Sequence, residues 1–515
     1  MLAPQEYDEQ SPPTMNQTRA PLFSLVCALF CLPPLAGAQD RSPQLAPKQD
    51  AGATVASWKL LFSGRQDITD TWGKLHFGVT PVRLIRECEA LPFTVAGCFP
   101  LADGKWEVFG QQLTEVGRGR ESFQETNSWK LIRATTRDGV KFENQETVLD
   151  QSPATWTDHV GLAYNPEAKE YLLLKFKLDD SGFAYTAFLG PDGRQWREHS
   201  NNPLFYEGDA LSLFWSPVLK RFVCVSKSLQ PYRKHIRDHG GPTKALSDDS
   251  LRDRRVLVIR SSPDGRRWEP AVSMPDVWNR HGRKASVPDA FLTAPDAEDP
   301  PDLEFYSGNA FWYYDRAYMT VLNYAASPLK PGKHGPSLDN EWWTSPDGLR
   351  WDRPARGINA LEVSQPLRRD RIEGPPLVIN GMILFPRGNL LLGLPEDRIS
   401  FVSARANGEF STKSFKMPAA HLFLNAATPA PGRTLEGQSY FASGQAYVMV
   451  AVQDDKGGVI PGFEAEKCVI RNEDRRDILL NWGEVSARQL AGKSVRLRFF
   501  LRSANIYAVT AGNNL

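Results

Sequence analysis

A set of acidic residues stands just before, or at the start of, segments with strand-like patterning. Carboxyl groups so placed can divide acid and base work between a protonated and an ionised partner. Asp158-His159 precedes Val160-Gly161-Leu162-Ala163-Tyr164, and Asp209 lies within Glu207-Gly208-Asp209-Ala210-Leu211. Asp302-Leu303-Glu304 sets two carboxyls at i, i+2, on one side of a strand. Asp370 and Glu373 precede Leu377-Val378-Ile379, while Glu87 and Glu89 precede a segment starting near Phe93. Turn capping and surface solvation are the commoner uses of acids, so position along the chain is what singles these out. His159 beside Asp158 can orient a ligand hydroxyl or fill a polar corner. His235 and His239 have the i, i+4 spacing of a helical metal pair, but Gly240-Gly241-Pro242 follows at once and no third ligand is evident. No phosphate loop, Ser-His-Asp order or dinucleotide fingerprint is present, so neither a metal nor a cofactor is expected.

The scaffold that must position these acids announces itself as a repeat. Ser262-Pro263-Asp264-Gly265-Arg266-Arg267-Trp268 returns as Ser345-Pro346-Asp347-Gly348-Leu349-Arg350-Trp351. Weaker copies are Gly190-Pro191-Asp192-Gly193-Arg194-Gln195-Trp196 and Thr136-Arg137-Asp138-Gly139-Val140-Lys141-Phe142, with a decayed fifth at Ala406-Asn407-Gly408-Glu409-Phe410. Asp-Gly is a hairpin signal: glycine takes positive φ without a Cβ penalty, and the carboxylate can accept from nearby turn amides. Asp138, Asp192, Asp264 and Asp347 are therefore read as structural. Repeated units that cannot bury their own faces close into a β-propeller, here of five blades. Blade V is read as Leu377-Val378-Ile379, Met382-Ile383-Leu384-Phe385 and Ile399-Ser400-Phe401-Val402-Ser403. Turn-to-turn spacings of 54 to 83 residues leave room for insertions at 231–254, 275–301 and 325–340. These are read as loops rimming a central pocket.

Past Met417 the repeat stops and strand pairs such as Tyr447 to Val452 and Val495 to Leu501 follow, which reads as an antiparallel sandwich. The fold class expected is thus all-β, a five-bladed propeller at 39–417 followed by a β-sandwich at 418–515. At the other end, Arg19, the apolar run Pro21 to Leu35 and Ala36-Gly37-Ala38 read as an export signal over 1–38, with translation starting at Met1 or at Met15. A secreted or periplasmic location follows from that reading. The net charge of +1 argues against nucleic acid or an anionic membrane as a bulk partner. Cys88, Cys98, Cys224 and Cys468 do not make a disulfide framework, though Cys88 and Cys98 are close enough in sequence to pair. Fourteen Trp and fourteen Tyr suit a core and also suit sugar stacking.

The repeated phrase resembles the Asp-box of sialidases and related propellers. Five such blades followed by a sandwich that carries Gly462-Phe463 and ends in Leu490-Ala491-Gly492-Lys493-Ser494-Val495-Arg496-Leu497-Arg498-Phe499 resemble exported bacterial proteins grouped with glycoside hydrolase families 32 and 43. The resemblance covers most of the mature chain and is specific for architecture. It implies a funnel on the propeller axis in which two carboxyl groups hydrolyse an O-glycosyl bond of a poly- or oligosaccharide. The triad it points to is Asp158 as base or nucleophile, Asp209 as orienting carboxylate and Glu304 as proton donor, with His159, Asp302, Asp370 and Glu373 binding substrate. The Arg-Asp-Pro and Glu-Cys signatures of typical family 32 members do not occur at these places, and Glu87-Cys88 lies upstream of the blades. Two alternatives stand beside hydrolysis. One is a propeller that binds carbohydrate without cleaving it. The other is a sialidase-like enzyme in which Arg133, Arg260 and Arg387 converge on a carboxylated sugar.

Overall fold

The computed structural model describes residues 58–114, 128–152, 159–179, 182–206, 210–231, 253–269, 292–293, 295–296, 298–300, 302–326, 334–362, 372–430 and 445–513. All of these lie in one compact unit, Val55–Leu515. Strands dominate, and the helical elements among the described residues are three short 3-10 turns.

Five antiparallel sheets form the propeller. Their innermost strands are Thr94–Pro100 in blade I, Val160–Asn165 in II, Leu211–Ser216 in III, Leu303–Tyr313 in IV and Leu377–Ile379 in V. Each blade packs its faces against its neighbours, so the apolar core of the propeller is divided into five wedges, of which the one between blades IV and V also takes in Leu61, Val79 and Ala508 of a further sheet. Blades I and II share Phe109, Leu131, Leu162 and Leu173, and II and III share Leu174, Tyr185, Leu213 and Cys224. Val225, Ile259, Phe305 and Met319 join III to IV. Phe311, Trp342, Ile383 and Phe385 join IV to V, and Val95, Val108, Leu377 and Leu384 join V back to I, closing the ring.

The Asp-Gly phrase sits at the outer hairpin of blades I to IV, and its parts act as the turn chemistry requires. Asp264 Oδ1 accepts from the amides of Arg266 and Arg267 at 2.9 and 3.0 Å. Ser262 Oγ accepts from the Gly265 amide at 2.8 Å, and the Trp268 indole donates to the Gly265 carbonyl at 3.2 Å. Asp138, Asp192 and Asp347 make the same pairs of amide bonds. Burial opposes ionisation of Asp138 and Asp264, but the turn amides outweigh it and hold both carboxyls below the usual range. Each turn also packs on the preceding blade. A Cβ on Gly265, at φ +72°, would lie 2.9 Å from Leu172 of blade II, and one on Gly348 would lie 2.8 Å from Phe214 of blade III.

Blade V departs from the expected course. After Leu390–Pro395 the chain leaves the propeller, and the fourth strand of blade V is Arg83–Glu87 from near the N-terminus, paired with Leu390 to Gly393. The segment Ile399 to Ser403 belongs elsewhere. It opens the strand Ser400–Thr412, which pairs with Ile68–Val79 and with Ser494–Gly512. The decayed fifth copy, Ala406 to Phe410, falls inside that strand, at a register shift rather than at a hairpin. With its outer hairpin replaced by a strand from the other end of the chain, blade V has no need of the turn.

The remaining strands form a nine-stranded sheet. Its spine is Ser494–Gly512, which pairs Tyr447–Gln453 with its first half and His421–Ala427 with its second. Lys59–Leu61 and Ile68–Val79 add to it from the N-terminal side of the propeller. Phe410, Leu424, Val450, Trp482 and Phe499 meet in its core.

Candidate functional site

A cavity of about 190 Å³ lies on the propeller axis, and every blade contributes to its wall. Blade I supplies Thr94 to Ala96 with Gln111 and Leu113, blade II His159 to Gly161, and blade III Ala210 to Leu213. Blade IV supplies Ser307 to Ala310, and the segment Ile372 to Pro375 leads into blade V. Small residues let five strands converge here. A Cβ on Gly161 would lie 2.6 Å from Leu213 Cβ, and one on Gly374, at φ +71°, would lie 2.7 Å from the Val95 carbonyl oxygen.

The structure distributes the acids expected from the sequence unevenly. Glu373 is in the cavity wall, and Arg387 Nε stands 3.4 Å from its carboxylate. His159 also lines the cavity, and its carbonyl accepts from the Phe176 amide at 3.1 Å, which fixes the backbone where blade II begins. Asp158, Asp209 and Asp370 lie outside the described residues, as do His235 and His239; the chain neighbours His159 and Ala210 are wall residues. Asp302 is exposed and not part of the wall.

Glu304, expected as proton donor, is not among the residues that line the cavity. It is 1% exposed, and Arg255 reaches it twice, Nη1 at 2.8 Å and the backbone amide at 3.3 Å. This buried ion pair ties blade IV to blade III. Spacing of i, i+2 sets two residues on one side of a strand, but that side can face a neighbouring blade as readily as the axis.

The arginine cluster does not assemble either. Arg133 bonds Glu107 and Glu146, both at 2.6 Å, within blade I. Arg260 is buried with its guanidinium 5.1 Å from the Phe205 ring centre, and Arg387 stands by Glu373. None of the three lines the cavity.

Polar wall residues not singled out from the sequence are Thr94, Gln111, Ser212, Ser307 and Asn309. Gln111 Oε1 accepts from the Trp129 indole at 3.3 Å, so a buried donor orients its amide. Asn309 Nδ2 donates to the Gly374 carbonyl at 2.8 Å. The available signal was local: past Glu304, Ser307-Gly308-Asn309 interrupts an apolar and aromatic run. Cys88 and Cys98 are free thiols, and no metal-binding cluster occurs among the described residues.

No family model matches the chain, and no curated protein does. Among solved structures the chain is similar to a glycosyl hydrolase from Bacteroides ovatus, at 12% identity and TM-score 0.35, over 61% of this chain and 86% of that one. It is similar to the exo-β-1,3-galactanase of Phanerochaete chrysosporium in a galactose complex, at 9% identity and TM-score 0.34, over 82% and 96%. It is also similar to the fructofuranosidase of Schwanniomyces occidentalis complexed with fructose, at 9% identity and TM-score 0.35, over 84% and 97%.

Proposed function

We propose that this chain is an exported glycoside hydrolase-like protein that takes a poly- or oligosaccharide into the axial cavity of its propeller and hydrolyses it with paired carboxyl groups. The observation that carries the reading is the cavity itself, whose wall draws on the inner strands of blades I to IV and on the segment leading into blade V, and includes Glu373. Asp158 and Asp209 adjoin wall residues in sequence, and with Glu373 they are the acids to test for general acid and base roles. Glu304 instead pairs with Arg255 and holds blade IV to blade III.

A second reading, binding without cleavage, draws support from the described wall, where amides, hydroxyls and small apolar groups outnumber the single carboxylate of Glu373. One experiment separates the two. The purified protein is screened for reducing-end release and for binding against a polysaccharide panel, alongside Asp158→Asn, Asp209→Asn and Glu373→Gln. Hydrolysis expects turnover that falls at least about 100-fold in one or more variants. Binding without turnover in the wild type supports the second reading. Turnover indifferent to all three changes excludes these acids.

A further inference from the structure

The inner strand of blade IV changes face as it reaches the cavity. Against its neighbour Arg316–Ala326, Phe305 pairs with Asn323 and Ser307 with Leu322, leaving Tyr306 as an extra residue. An inserted residue of this kind re-aims the side chains that follow it. Leu303 and Phe305, before the bulge, pack in the wedge with blade III, and after it Ala310 takes that side. Ser307, Asn309 and Phe311 alternate to the other side, where Phe311 meets Phe385 of blade V at 5.9 Å between ring centres. Asn309 reaches Gly374 in the segment leading to the same blade.

That contact fixes the asparagine amide. Only the NH2 branch can donate to a carbonyl, so Nδ2 belongs on Gly374 and Oδ1 is left as an acceptor on a residue that lines the cavity. No described residue donates to Oδ1, and Ser307 Oγ has no hydrogen-bond partner among the described residues. Glu373 completes the same wall, with Arg387 beside its carboxylate.

We propose that Ser307, Asn309 and Glu373 form a subsite for the hydroxyl groups of a neutral sugar, with Asn309 as its specificity residue; the inference rests on the saccharide reading above. Two of the three groups, the amide oxygen and the carboxylate, accept only. A ligand must therefore bring donors. Sugar hydroxyls supply them, whereas a carboxylate or phosphate at this wall would set acceptor against acceptor.

Saturation-transfer NMR and calorimetry test this with a panel of neutral methyl hexosides and pentosides, the matching methyl uronosides, and neutral oligosaccharides. The wild type is expected to bind at least one neutral member and to bind its uronate counterpart at least about tenfold more weakly. Asn309→Ala and Ser307→Ala are each expected to weaken that neutral ligand roughly tenfold, and Asn309→Ala to lose discrimination against the deoxy analogue lacking the contacted hydroxyl. Ser307→Ala keeps the test open if loss of the Gly374 bond disturbs folding. If turnover is found, KM should rise with kcat held within about twofold. Wild-type affinity in both variants, or preference for the uronoside, overturns the subsite while leaving the saccharide reading intact. Binding by no saccharide overturns that reading and this inference with it.

Discussion

Lys175 shows what the blade interface does to a single side chain. It is 4% exposed between blades I and II, with its ammonium 4.3 Å from the centre of the Trp129 ring and 3.0 Å from Gln151 Oε1. Burial, and then the nearby charge of Lys177, push its pKa down to about 8, against an opposing pull from Glu198. Between pH 8 and the ordinary lysine value of 10.5, the unfolded chain holds a proton that the folded chain has released. Folding stability therefore rises with pH across that window, and the full cost of the buried charge is present below it. Lys175→Met should remove this dependence. Thermal unfolding at pH 7 and pH 10 is expected to show a rise for the wild type relative to the variant, with the variant at least as stable at pH 7. Parallel profiles would refute the assignment. Trp129, which carries this cation, also orients Gln111 in the cavity wall. No sequence pattern reveals such a chain of contacts, because Gln111, Trp129 and Lys175 come from separate strands. The same limit applies to Glu304: its place at a strand start was legible, but its partner Arg255 lies in another blade.

Elements held by local contacts were the ones the sequence disclosed. The Asp-Gly turns close within a few residues through their own amides, so their residue types announce them. The strand Arg83–Glu87 closes blade V against a partner some three hundred residues away. Four of its five residues are exposed, so it carries no buried alternation to read. Conversely, Ser400 to Ser403 do lie in a strand, but pattern alone cannot say which sheet it joins, and pairing with Ser494–Gly512 takes it out of the propeller. What the turn glycines contribute can be separated by substitution. Gly265 and Gly104 have nearly the same φ, +72° and +76°, but a Cβ at Gly265 strikes Leu172 whereas one at Gly104 meets nothing within 4 Å. Gly104→Ala should cost about 1 kcal/mol of unfolding free energy from positive φ alone. Gly265→Ala should cost about 2 to 4 kcal/mol, since overpacking against blade II adds to the strain. Chemical denaturation measures both, and equal losses would show that the turn does not depend on its seat against blade II.

At the scale of the whole molecule, the propeller and the nine-stranded sheet are joined by charge as well as by apolar packing. Lys59, in a strand of the sheet, bonds Asp397 at 2.9 Å and Glu396 at 3.0 Å, just past the last propeller strand of blade V. Tyr313, at the end of the inner strand of blade IV, donates to Asp397 as well. Burial raises the Asp397 pKa, and the Lys59 charge is the main force opposing that rise. At Lys59 burial pulls the other way, but the attraction of Asp397 and Glu396 prevails and its pKa is raised. Lys59→Met would leave Asp397 enclosed without its cation, at a cost of about 3 to 5 kcal/mol at neutral pH. In that variant the carboxyl should take up a proton well above the ordinary carboxylate range. The unfolded chain then binds fewer protons than the folded one, so the deficit relative to wild type should shrink as pH falls from 7 to 5. Adding Asp397→Asn removes the buried charge itself, and the double variant should recover most of the loss at pH 7. Chemical denaturation across the double-mutant cycle at both pH values measures the coupling. Strict additivity, or a deficit that does not change with pH, would mean that apolar contacts alone hold the sheet to the blades.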